Sequence, residues 1–283
     1  MKLFLVLLWM VQFSCADEAA EDSPVGGMDG TGEDSTFEGV DGTNTHFPTY
    51  LDAHNLRFFA RPGVSSDFLS AVSTAYGEML KSSPSIDADV QQSYLSTTEA
   101  QHVFQLVGLV GPENYSSTMD ERPQRPWEDH GTDYIWELST GGPEQIGEVL
   151  EHLLHTVTAV GLKLAFPEAW DYMDESSALF VAMQEAIAKD VYRITDYEAL
   201  KGDAEGYNKV LATEFIYWLI LAEWDYFETA GKNEDGGTGN SEFTLASPAE
   251  IESNLPLGHQ FYLDHVVKVL SVPDKAVITA LFP

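Results

Sequence analysis

After Pro143, apolar residues recur at Ile146, Val149, Leu150, Leu153, Leu154, Val157 and Val160. That spacing predicts an amphipathic helix with one buried stripe. Thr140-Gly141-Gly142-Pro143 opens it, with Pro143 at a first-turn position where no amide hydrogen is needed. Three short apolar runs predict strands: Leu56–Ala60, ended by Arg61-Pro62-Gly63; Val103–Val110, ended by Gly111-Pro112; and Asp133–Leu138. Ser65 and Ser66 can cap a helix whose inner face is Phe68, Leu69, Val72, Ala75, Tyr76, Met79 and Leu80. Further helices are expected over about Ser176–Lys189, Tyr207–Phe227 and Gly258–Leu270, with loops at Met119–Gly131 and Asn233–Asn240. A mixed first half and a helical second half make one α+β domain over residues 47–283.

The N-terminus reads differently. Met1–Ala16 has a Lys, an apolar run from Leu3 to Phe13, and small residues Ser14 and Ala16, the pattern of a secretory signal. The run is too short to span a bilayer, so no membrane insertion is expected. Cys15 is the chain's one cysteine; Gln12 and Phe13 suit a lipid-anchor signal at Cys15 poorly. The expected product is a secreted protein, extracellular or periplasmic, without disulfides. Asp17–Gly42 holds nine acids and no Lys or Arg, and residues 17–46 are expected to form a disordered acidic tether. Asn114-Tyr115-Ser116 is a glycosylation sequon. Across 283 residues, 46 acids against 14 Lys and Arg give a net charge of −32. Such a charge argues against nucleic acid and anionic membrane as partners, and is compatible with a cationic substrate, with calcium-rich surroundings or simply with solubility in a salty medium.

The polar side of the helix opened at Pro143 carries Glu148, Glu151, His152 and His155. At about 100° per residue these four fall within a sector of roughly 100°. Imidazoles and carboxylates converging on one face are the donors of a first-row metal site; a solvated face with an i,i+4 Glu148–His152 pair is the alternative. The middle of the helix Tyr207–Phe227 is apolar on every side, and Glu214 stands at the head of that apolar run. A carboxylate there is either a first-turn residue in water or the third ligand of a metal held by the Glu-His helix. His130 is expected to be solvated, and His102, His259 and His265 to be satisfied core histidines. The Glu-His helix lacks the Glu-x-x-His spacing of a di-iron bundle, since Val149 and His152 stand three residues before His152 and His155, and no phosphate loop or nucleophile elbow accompanies it.

On these residues the chain resembles the zincin metallopeptidases of the anthrax-lethal-factor type. In that family a His-Glu-x-x-His helix is followed by a Tyr seven residues before a Glu that opens an apolar helix; Tyr207 and Glu214 have that spacing here. Ser247-Pro248 through Asn254-Leu255-Pro256 and Gln260-Phe261-Tyr262-Leu263 resemble its closing segment. The resemblance, diffuse over roughly residues 55–272, implies a zincin-like fold, a Zn²⁺ cofactor and hydrolysis of peptide bonds in a protein or peptide substrate, with Tyr207 donating to the oxyanion. The motif is reversed, however: Glu151 stands in the first His position and His152 in that of the general base. Three assignments stay open. Glu151, His155 and Glu214 hold the metal with His152 as base; or His152, His155 and Glu214 hold it with Glu151 or Glu148 activating water; or the scaffold survives as a non-catalytic secreted binding protein. Zinc's preference for imidazole favours the second, with Glu151 and Tyr207 catalytic.

Overall fold

The computed structural model describes residues 41–110, 121–233 and 239–283. The expected signal, nearly all of the acidic tether and the Asn114 sequon lie outside these residues. The described chain is mixed α and β: one four-stranded sheet, then a mainly helical second half.

The strands are β1 (Thr49–Ala53), β2 (Leu56–Ala60), β3 (Phe104–Leu109) and β4 (Tyr134–Glu137), side by side in that order. β1 and β2 form an antiparallel hairpin. Its two turn residues, His54 and Asn55, take φ of 47° and 64°, the left-handed pair that a two-residue turn requires. β2, β3 and β4 are parallel. The β2–β3 crossover is made by α1 (Ser66–Met79), capped by Ser65, and α2 (Ala88–Ala100), capped by Asp87. Alternation sorts the sheet's side chains into two cores. Phe58, Ala60, Val107 and Ile135 face the helices. Phe59, Phe104, Leu106 and Tyr134 close with Phe47 over the opposite face. Residues 41–46, read as tether from composition, are tied to that second layer: Asn44 donates to the Arg122 carbonyl at 2.7 Å, and Gly42 O accepts from Gln124 N at 2.8 Å.

α3 (Gly142–His155) follows β4 and buries Ile146, Val149, Leu150, Leu153 and Leu154, the expected stripe. It continues unbroken into a π-helical segment, Thr156–Leu162. Thr158 returns a hydrogen bond to the Leu154 carbonyl, and Gly161 leaves room for the Tyr94 ring, 2.6 Å from where a Cβ would stand. Short α4 (Lys163–Ala165) and α5 (Pro167–Trp170) lead to α6 (Ala178–Ala188), and a 3₁₀ turn (Thr195–Leu200) to α7 (Ala204–Glu223). α7 is buried on all sides from Leu211 to Glu223 apart from Thr213. α8 (Pro248–Asn254) precedes the expected Gly258–Leu270 helix, which is present as α9 (Pro256–Phe261), continued by a π turn (Tyr262–Val266); α10 (Lys275–Leu281) lies beyond. Among the described residues no helix is long and apolar enough to cross a membrane.

Two polar arrangements fix α3 against the sheet. The outer edge of β4 is covered by α3 side chains. Glu148 accepts from Trp136 N at 3.0 Å, and the Gln145 amide accepts from Leu138 N and donates to Trp136 O. Beneath, the fully buried Gln105 of β3 accepts from Thr156 Oγ1 at 2.5 Å and donates to the Leu106 and Asp133 carbonyls, both at 2.9 Å. It locks β3, the entry to β4 and the first π residue together. Replacing Gln105 with Leu leaves the Asp133 carbonyl without this donor and Thr156 without this acceptor. The expected cost is about 1–3 kcal/mol, read as a lowered urea midpoint at unchanged slope.

Candidate metal centre

α3 contributes Glu148, Glu151, His152 and His155 from successive turns of one face. α7 brings Glu214 and Tyr217 from the opposite side, and Asp133 enters from the residue before β4. His155 is the hinge of the group and is 3% exposed. Its Nδ1 lies 3.2 Å from Asp133 Oδ2 in a hydrogen bond. Its Nε2 has no hydrogen-bond partner and faces Glu214 Oε2 at 3.7 Å. The Tyr217 ring packs edge-on against it at 5.8 Å, and the buried Tyr217 hydroxyl is also without a partner. His152 is engaged at both nitrogens: Nε2 meets Glu148 Oε1 at 3.2 Å, and Nδ1 meets Asp133 Oδ2 at 3.0 Å as a charge contact rather than an aligned hydrogen bond.

Donor atoms gather into two triads, each within 4.8 Å: Asp133, His152 and His155, and Glu151, His155 and Glu214. His152 and Glu214, expected as ligands of one ion, fall in different triads joined through His155. The second triad has the donors for a divalent ion. It combines an i,i+4 pair on one helix, a carboxylate from another, and a bare imidazole nitrogen whose ring partner is held by Asp133. Tyr207 is half-buried two turns before Glu214, with Lys201 Nζ 5.9 Å from its ring; the phenol beside His155 belongs to Tyr217.

The charges are mutually supporting. Burial opposes protonation of His155, but Glu214 and Asp133 outweigh it and push the imidazole up to about 10. Burial also opposes charge on His152, which Asp133 and Glu148 nonetheless hold well above the ordinary range. Against its own burial, Asp133 is kept well below the usual carboxylate range by the two imidazoles. Half-buried Glu151 is likewise held at about 2 against its desolvation, first by the Lys232 ammonium, 2.6 Å away, and then by the histidines.

The other histidines have ordinary explanations. His259 pairs with Glu223 at 2.8 Å, so the acid at the end of α7 is satisfied within the core. His102 packs edge-on to Trp127, His265 lies against Phe261, and His130 Nδ1 meets the Gln101 carbonyl. Sequence reasoning missed Asp133, taken only as the start of a strand, and Lys232, which no spacing links to α3. It also missed Glu242, whose carboxylate accepts from Tyr197 Oη at 2.5 Å. Comparison with protein-family models, curated proteins and solved structures finds no match for this chain.

Glu242 supplies a pH test of the acid cluster. Burial, then the charge of Glu214, raises its carboxyl from 4.5 to about 7. Between those values the unfolded chain has released a proton that the folded chain still holds, so this group's contribution to stability falls as pH rises from 4.5 to about 7. Glu242→Gln removes that slope. Urea midpoints at the two pH values should show the variant gaining on the wild type toward neutrality.

Proposed function

We propose that this is an exported zinc-dependent protein of the peptide-hydrolysing class, with Glu151, His155 and Glu214 holding the ion. The reading is carried by His155: its Nδ1 is braced by the Asp133 carboxylate while its buried Nε2 is bare and turned toward Glu151 and Glu214. A carboxylate behind a metal-binding imidazole fixes the ring and its tautomer, and is the usual support of such a ligand. The donor layout is that of the resembled zincins, with Glu151 in place of the first His. Bound there, zinc supplies a water acidified toward pKa about 7 and a Lewis acid for a carbonyl. His152, held protonated between Asp133 and Glu148, is the group to pass a proton to a leaving amine. The Tyr217 hydroxyl, buried beside His155 without a partner, is a donor for a developing oxyanion.

A second reading, a secreted metal-binding protein that does not hydrolyse peptides, is favoured by the covered edge of β4. An extended peptide adding to that strand would have to displace Glu148 and Gln145 from Trp136 and Leu138.

Metal analysis tests both. The purified protein is expected to carry about one zinc per chain. Glu214→Gln, His155→Gln and Glu151→Gln should each lose it, while Glu223→Gln, on the same helix but paired with His259, should retain it. His152→Gln should keep zinc and lose cleavage of an unstructured peptide library. Zinc without any cleavage in the wild type selects the second reading. An absence of transition metal, with no thermal stabilisation on adding zinc, overturns both.

A further inference from the structure

The Lys232 ammonium touches Oε2 of Glu151, a donor of the proposed metal triad, at 2.6 Å. Its path there is built in. Asp225 and Gly231, with φ of 55° and 64°, reverse the chain after α7. Lys232 N donates to Phe227 O at 2.8 Å, and Lys232 O accepts from Asn240 Nδ2 at 3.2 Å, so both backbone groups are fixed. The aliphatic stem then crosses α3 at Gly147, one turn before Glu151. A Cβ at Gly147 would stand 2.5 Å from Ala230 O and 2.8 Å from Lys232 Cε, so the missing side chain is the lysine's passage. The ammonium ends 5.7 Å from the Tyr217 ring and 5.8 Å from that of Trp218. Tyr217 is also the ring against which His155 packs. With its side chain 25% exposed, this cation is largely withdrawn from water.

We infer that Lys232 is the resident cation of this site: it neutralises Glu151 in the metal-free protein and must leave that carboxylate when a divalent ion takes it, which makes Lys232 the residue that sets metal affinity and selectivity. The inference rests on the reading of Glu151, His155 and Glu214 as ligands. A hard cation such as Ca²⁺ draws its binding from charge and oxygen donors; here it would contend with an ammonium for one carboxylate and gain little from an imidazole. Zinc gains from the imidazole and can displace the lysine.

The test is zinc affinity by chelator competition, with Ca²⁺ binding measured in parallel, on the full chain. Lys232→Met keeps the stem across Gly147 and removes the charge; Lys232→Gln is a second variant should the first not fold. Either is expected to bind zinc at least about tenfold tighter than the wild type and to acquire measurable Ca²⁺ binding. Lys275→Met, which removes an ammonium paired with Asp225, should change neither. Unchanged or weaker zinc binding in the variants, beside a wild type that binds zinc, overturns the inference and leaves the metal reading standing. Zinc bound by neither protein overturns both. Zinc bound by the variants alone supports the inference in its extreme form, a site filled permanently by its own lysine.

Discussion

A carboxylate carried into an apolar core needs a counter-charge, and Glu214 is carried there at the head of a helical segment with no polar side to turn outward. From Leu211 onward α7 must be covered by its neighbours, and α3 with its π continuation provides much of that cover. The face of α3 that meets Glu214 therefore cannot be apolar. His155 answers the buried acid, Asp133 answers His155, and His152 and Glu148 extend the alternation toward solvent. Each group in this row has a neighbour of opposite sign, so removing His155 or His152 would leave the acids beside it without that neighbour rather than merely delete a contact.

The backbone supports this chain of charges at its outer end. Asp133 lies between two segments that Gln105 joins, and that glutamine occupies a central strand where an apolar residue would be the ordinary choice. The π segment begins at the residue after His155. Wide helical turns of this kind are often found at functional sites, and this one opens the helix where the imidazole must turn between Asp133 and Glu214.

How much of this the amino-acid pattern disclosed depended on burial. α3 and α7 were legible because each buries a broad apolar surface, and β2, β3 and β4 because their residues pack on both faces of the sheet. α2 escaped notice since only Tyr94 and Thr98 of its thirteen residues are buried, too few to set a period. β1 escaped for the same reason, its residues being exposed or half-buried along their length. In the site, residues sharing one helix face could be grouped by spacing, and Glu214 announced itself by its apolar setting. Asp133 and Lys232 could not be found that way. They reach the cluster through tertiary return of the chain, and the only local trace of Lys232 is a glycine on a different helix. Tyr207 has the expected spacing from Glu214, whereas the phenol that packs against His155 is on the next turns of α7.

The side chains that seal β4 also bear on how the molecule behaves in a crowd. An open parallel edge is a template on which another chain can stack, and proteins with such edges are prone to sheet-by-sheet growth. Here Glu148 and Gln145 occupy the outward amides and carbonyl of that edge from within the same molecule. At the far side of the sheet, β1 is only five residues long and carries Asp52 locked onto Arg57. Among the described residues the sheet is thereby finished at both margins, one by its own helix and one by brevity and charge, with four strands in all.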